Sequence, residues 1–176
     1  MPAERFVEAL NLQIARELGA SQQYLAAAVW YEHESFPRLA KLFYDQALEE
    51  RQHALMMLKY LLDSELLPEV PGVGEPRRVF GDFVEPVRIA LEQERKVTEQ
   101  ISQLTAIARE ESDFVSEQFT HWFLREQVEE VDLFSTLLDV AERVRERPMD
   151  LEDHIAREGV GGGETTDPTA PPAAGG

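Results

Sequence analysis

The chain has 176 residues, with 34 acidic against 17 basic side chains, a net charge of −17, 43% apolar residues and no cysteine. That length suits one domain with a sizeable core, and the missing thiols exclude a disulfide framework, a thiolate metal cluster and a cysteine nucleophile. The charge argues against nucleic acid as a partner, because nothing would neutralise phosphates, and no apolar stretch approaches the roughly 20 residues needed to span a bilayer. The opening, Met1-Pro2-Ala3-Glu4-Arg5-Phe6, lacks a basic segment followed by an apolar run. A cytoplasmic protein with no membrane partner is therefore expected.

Glycine and proline divide the chain. Between residues 3 and 67 there are only Gly19 and Pro37, and from Val87 to Arg147 there is neither. Long stretches without these breakers, rich in Leu, Ala, Glu, Gln and Arg, predict helix. The first helix is expected near 3–33, where Phe6, Leu10, Ile14, Leu18, Leu25 and Val29 step along one stripe. The second is expected near 37–65, opening at Pro37 with Ser35 as its cap and carrying Leu39, Leu42, Phe43, Ala47, Ala54, Met57 and Leu61. From Leu66 to Phe83 the chain holds Pro68, Pro71, Gly72, Gly74, Pro76 and Gly81 and shows no helical period. A third helix follows near 84–111, marked by Val87, Ala90, Val97, Ile101, Leu104 and Ala108. The fourth, near 113–145, has Ser112 or Asp113 to cap it and Phe119, Phe123, Leu133, Phe134, Leu137 and Val140 as its stripe. After Pro148 a short fifth helix runs from about Met149 to Glu158, and the Gly/Pro/Ala/Thr-rich tail, 159–176, is expected to be disordered. No stretch alternates like a strand.

Two short connections force two antiparallel hairpins. The long link must travel: a helix of about 27 residues is roughly 40 Å long, and 18 extended residues reach up to roughly 60 Å. The predicted architecture is all-α, a four-helix bundle with one long crossover between the second and third helices and a short fifth helix.

Polar residues interrupt the apolar stripes. Glu17 sits between Ile14 and Ser21, Glu50 and His53 between Phe43 and Met57, Glu94 between Ala90 and Val97, and Gln127 and Glu130 between Phe123 and Phe134. Glu17 and Glu50 are 33 residues apart, as are Glu94 and Gln127, and the midpoints fall at the turn signals near Ser35 and Ser112. In an antiparallel hairpin, residues equidistant from the turn lie at one height, so Glu17 should face Glu50 and Glu94 should face Gln127. His53 and Glu130 join the same level because residues three apart share a helix face. The second half of the chain thus repeats the first at an offset of 77.

Several carboxylates buried in one layer cannot remain charged without compensation, since each ion costs several kcal/mol to desolvate. Metal cations supply it, and oxygen ligands with one imidazole suit iron or manganese, with zinc also admissible. Carboxylate di-metal bundles use one Glu from each of two helices and Glu-x-x-His from the other two. The first half matches through Glu17 and Glu50-Arg51-Gln52-His53. The second departs, with Glu94 followed by Gln127-Val128-Glu129-Glu130. An asymmetric pair of metal positions is expected: Glu17, Glu50 and His53 on one side, Glu94 with the weaker ligands Gln127 and Glu130 on the other, and Glu50 and Glu130 placed to bridge.

These residues, together with the segment Trp122-Phe-Leu-Arg-Glu-Gln-Val-Glu-Glu-Val131, resemble the non-haem bacterial ferritins over about residues 3–158. The resemblance implies a ferritin-like di-iron domain over 1–158 and a homo-assembly of 24 subunits forming a hollow cage. Fe(II) would be oxidised there by oxygen or hydrogen peroxide and stored as a ferric mineral, with the fifth helix lining a four-fold axis. Glu17, Glu50, His53, Glu94, Gln127 and Glu130 fall at the family's ferroxidase positions. Glu49, Glu126 and Glu129 match the carboxylates of its third iron site, although they also read as a solvated acidic face. Tyr24, two turns after Glu17 on the same face, matches a tyrosine that donates electrons in the family. It reads equally well as a core aromatic, as does Trp122. Haem is not expected, because the position of the haem-ligating methionine of bacterioferritins holds Arg51, and Met56 and Met57 read as core residues. His33, His121 and His154 have no partner at ligand spacing. The competing readings are a non-storage di-iron oxidase or peroxidase, a bundle with a structural metal, and a cargo protein of a larger shell.

Overall fold

The computed structural model describes residues 1–160 and 167–175. Among them are five helices and no strand: α1 (Glu4–His33), α2 (Pro37–Asp63), α3 (Glu85–Glu110), α4 (Phe114–Arg143) and α5 (Met149–Glu158). No helix of the described residues is long and apolar enough to cross a membrane.

Three helices, α1, α2 and α3, end in a left-handed residue that is not glycine. Ser35, Glu65 and Ser112 take left-handed φ values of 66°, 61° and 56°, a conformation that costs a non-glycine residue about 1–2 kcal/mol. Each turn recovers two carbonyls of the preceding helix. Phe36 N–H donates to Tyr31 O (2.9 Å) and Ser35 N–H to Glu32 O (3.1 Å), and the same pair recurs at Asp113–Ala108 (2.8 Å) and Ser112–Arg109 (3.0 Å). Ser35 therefore ends α1 rather than capping α2, because a residue committed to the left-handed turn cannot also hold the extended N-cap conformation. Asp113 does cap α4, accepting from Ser116 N–H at 3.1 Å. The open N-terminus of α2 is served from α5: buried Glu152 accepts the Arg38 and Leu39 N–H groups at 2.7 and 2.9 Å.

End contacts set the helix directions. The start of α1 meets the end of α3 through Arg5–Glu110 (2.7 Å), and Tyr60 near the end of α2 stacks on Phe119 near the start of α4. Both pairs are antiparallel, as are the two hairpins, so α2 and α3 run parallel. The link between them travels along α1: Glu69 N–H bonds Asn11 Oδ1 (2.9 Å), Arg77 N–H bonds Gln23 Oε1 (2.9 Å), and Tyr31 Oη–H bonds Phe83 O (2.7 Å).

The apolar interior forms two clusters. One gathers Tyr31, Leu39, Phe43, Val87, Phe134 and Leu137, joined by Leu151 and Ile155 of α5. The other gathers Phe6, Leu10, Ile14, Met57, Leu61, Ile101 and Phe123. Met56 and Met57 are buried in the second, whereas Arg51 is exposed.

Two expectations are corrected. Leu25 and Val29 do not continue the inward stripe of α1; they are 41% and 54% exposed. The inward face at this level carries Tyr24 and Ala28, and the next residue in each case is turned about 100° away. Together with Ala26, Trp30 and His33 they line an open groove closed by Pro76 and Arg78 of the crossover. The tail also differs over residues 167–175, which lie on the bundle: Trp122 Nε1–H donates to Asp167 Oδ2 (2.7 Å), Ala174 N–H donates to Leu55 O (3.1 Å), and Ala170 and Ala173 pack on the second cluster. An otherwise unpaired indole N–H and an apolar shelf capture this stretch. Residues 161–166 and 176, the remainder of the expected disordered tail beyond Val160, lie outside the described residues.

Candidate metal centre

The level between the two apolar clusters is polar. Glu17 from α1, Glu50 and His53 from α2, Glu94 from α3, and Gln127 and Glu130 from α4 are each at most 6% exposed. One ligand atom from each of Glu17, Glu50 and His53 falls within 4.8 Å of the others, and His53 Nδ1 stands 3.6 Å from Glu50 Oε2. Across the layer, Gln127 Nε2 donates to Glu94 Oε2 at 3.3 Å, and Tyr24 Oη–H donates to Glu94 Oε1. Glu130 accepts a long bond from Gln46 Nε2, 3.5 Å. The layer is lopsided as a result. The first side presents bare oxygens, while the Glu94 side is tied into protein hydrogen bonds.

Glu17 Oε2, both oxygens of Glu50 and Glu130 Oε2 are buried without a hydrogen-bond partner. An unpartnered buried polar group costs about 1–3 kcal/mol and more when charged, so four of them in one layer call for a ligand. The electrostatics agree. Burial, then the neighbouring Glu50, pushes the Glu17 carboxyl well above its ordinary range. Burial and Glu94 do the same to Glu50. Glu130 is raised to about 9 by burial and Glu49, whereas Glu94 is raised by burial only to about 7, because Tyr24 and Gln127 stabilise its charged form. All four carboxyls therefore hold protons more tightly than exposed ones, and a divalent cation entering the layer competes with those protons.

A second group lies beside the first. Glu49, His53 and Glu126 also bring ligand atoms within 4.8 Å of one another, with Glu49 and Glu126 partly exposed. His53 belongs to both groups and links them. Glu129 is exposed and belongs to neither. Burial raises the Glu126 carboxyl and His53 opposes the shift. Of the other histidines, His33 is exposed and bonded to Glu34 (2.9 Å), His121 lies 3.7 Å from Glu117, and neither approaches the layer.

Residues 7–144 match the Ferritin family, described as a ferritin-like domain. The chain is 48% identical over 157 residues to Ferritin BfrB of Mycobacterium tuberculosis, covering 89% of this chain and 87% of that protein. The chain belongs to the ferritin family. It is also 35% identical over 144 residues to the bacterial non-heme ferritin of Staphylococcus aureus, covering 82% of this chain and 87% of that one. A solved open-pore ferritin of Archaeoglobus fulgidus superposes with a TM-score of 0.85 at 25% identity, over 92% of this chain and 98% of the other.

Several polar partners in this ferritin chain were not anticipated from the sequence. Gln13 Nε2 donates to Glu17 Oε1 (2.7 Å), Gln46 Nε2 to Glu49 Oε2 (3.1 Å), and Thr98 Oγ1 to Gln127 Oε1 (3.0 Å). Each has a signal: Gln13, Gln46 and Thr98 lie four residues from Glu17, Glu50 and Glu94, on the same helix faces. Asp167 had none, because only the folded chain brings it to Trp122.

Proposed function

We propose that this protein is an iron-storage ferritin that oxidises Fe(II) in the polar layer and holds the ferric product inside a cage of 24 copies. The observation that carries the reading is the set of buried carboxylates from four helices at one level, four of whose oxygens have no protein partner. Hard oxygen donors with a single imidazole fit iron, and they leave the coordination incomplete enough for an oxidant to approach.

Iron is both substrate and cargo. Glu17, Glu50 and His53 hold one Fe(II); Glu94, Glu130 and Gln127 hold the second, and Glu50 and Glu130 stand between them. Two Fe(II) ions supply two electrons, enough to reduce oxygen to peroxide or hydrogen peroxide to water. Tyr24, bonded to Glu94, aligns that carboxylate and is placed to relay an electron. The neutral amide of Gln127 makes the second position the weaker one, so product leaves from that side. Glu49 and Glu126 with His53 form an outer station for iron, and exposed Glu129 draws cations toward it. The domain carrying all of this spans 1–158. The apolar groove of Leu25, Val29 and Trp30 supports burial against another copy, and a cytoplasmic setting follows from the same reading.

Sizing and kinetics test it together. A storage protein elutes near 24 × 20.0 kDa and takes up far more than two irons per chain in air. A stable dimer, or uptake that stops at two irons, overturns storage. Glu50→Ala with His53→Ala keeps the assembly and slows rapid Fe(II) oxidation by at least about a hundredfold, the upper end of what even outer-shell losses cost a metal site. Unchanged kinetics overturn the site.

A further inference from the structure

We propose that Asp167 is a positioning residue for the outer group Glu49, His53 and Glu126, delivered there by a C-terminal strap, residues 167–175. The inference rests on the reading of that group as an iron station.

The strap is fastened on both sides of the group. On α4, Trp122, one turn before Glu126, donates its indole N–H to Asp167 Oδ2 (2.7 Å), and Arg125 reaches Thr169 Oγ1 (3.4 Å). On α2, Leu55, two residues after His53, receives the Ala174 N–H (3.1 Å). Between these points Ala170 and Ala173 lie on the apolar cluster that includes Trp122 and Phe123. The carboxylate of Asp167 is itself held, since Thr169 N–H and Oγ1–H both donate to it at 2.8 Å. It is therefore a fixed acceptor.

The Trp122 ring meets His53 edge-on, with centroids 5.6 Å apart and planes at 77°, and Phe123 meets it likewise at 5.7 Å and 82°. His53 serves both groups of acids, so its ring must keep one orientation, with Nδ1 toward Glu50. Two aromatic walls prevent it from turning. One wall, Trp122, takes its own orientation from Asp167, because a mostly buried indole turns to keep its N–H paired. Without that acceptor the N–H must find water, the indole swings outward, and the imidazole gains freedom.

The sequence carries two tryptophans, Trp30 and Trp122, so Trp30→Phe leaves Trp122 as the sole emitter. In that background, emission of the metal-free protein and its quenching by Fe(II) under anaerobic conditions are compared for the parent, Asp167→Ala and Asp167→Asn. Asp167→Ala is expected to shift Trp122 emission to longer wavelength and to weaken Fe(II) binding at the outer group roughly tenfold, the scale on which outer-shell partners act. Asp167→Asn keeps an acceptor for the indole and should restore both. Unchanged emission and affinity in Asp167→Ala overturn the proposal. So does an Asp167→Asn variant with parent-like emission and weakened iron binding, since charge rather than position would then be acting. A parent that binds no iron beyond the two intrabundle ions overturns the station itself and this inference with it. Emission of the metal-free variants then still reports whether the strap contact exists.

Discussion

Replacing Glu50 by methionine should make the metal-free protein more stable and the metal-loaded protein less so. Glu50 is fully buried, and neither of its oxygens has a hydrogen-bond partner; His53 Nδ1 stands 3.6 Å away, beyond hydrogen-bond reach. Methionine has a similar length, fills irregular gaps and carries no group that must be desolvated. A buried polar atom without a partner costs about 1–3 kcal/mol, and Glu50 has two of them, so exchange for an apolar side chain of like volume is stabilising. His53 loses a neighbour, which offsets part of this, so a net gain of about 1–3 kcal/mol is expected in chelator. For a chain of this length that raises Tm by roughly 3–10 °C. Calorimetry in EDTA and again in excess Zn(II), which binds oxygen and nitrogen donors without redox change, gives the contrast. The parent gains about 2.7 kcal/mol for zinc at a hundred times its Kd, and the variant loses most of that gain. Both proteins must be compared in the same assembly state, checked by sizing. A lower Tm for Glu50→Met in EDTA, like that of an ordinary core substitution, would refute the claim that the empty layer is costly.

The pH dependence of the chelated protein follows from the same carboxyls. Glu94 at about 7 and Glu130 at about 9 lie above the ordinary value of 4.5, so the native state binds more protons than the unfolded one. Their contribution is fully present below about pH 4.5 and is lost as the pH rises through about 7 and about 9. Tm in EDTA should fall between pH 5 and 9, and saturating Zn(II) should flatten the slope; a Tm that rises over this range would contradict the assignment. Tyr24→Phe strips Glu94 of its buried donor and should cost about 1–3 kcal/mol in chelator, with slower Fe(II) oxidation in stopped flow; equal stability and equal rate would show that the hydroxyl does nothing there. Glu152→Ala leaves the Arg38 and Leu39 N–H groups at the start of α2 unpaired. A loss of about 1.5–3 kcal/mol is expected for bonds to a charged acceptor, with faster hydrogen exchange in α5; unaltered exchange would mean that α5 is held by Leu151 and Ile155 alone.

Much of the molecule is legible in one chain read alone, because helical periodicity and breaker residues are local. Glycine and proline bracket the helices, and the apolar steps show their inward faces. The level of the acids also follows from counting. Equal spacing about two turns places Glu17 opposite Glu50, and the 77-residue repeat extends to the turns themselves, where Ser35 and Ser112 adopt the same left-handed conformation. Even Gln13, Gln46 and Thr98 were within reach, one turn from Glu17, Glu50 and Glu94 on the same helix faces, although only Gln13 bonds the carboxylate one turn away.

Tertiary structure alone decides the rest, since it depends on groups far apart in the chain. Stripe membership could not show that Leu25 and Val29 face outward, because only the packed neighbours reveal where the covered arc of α1 ends. Nothing local marks Glu152 as the partner of the α2 N-terminus 113 residues away, or Asp167 as the acceptor for Trp122. The sequence determines that acids meet at one height; the fold determines which of their oxygens are left bare. Backbone spacing is set residue by residue, whereas hydrogen-bond satisfaction is settled only when every competing donor is in place.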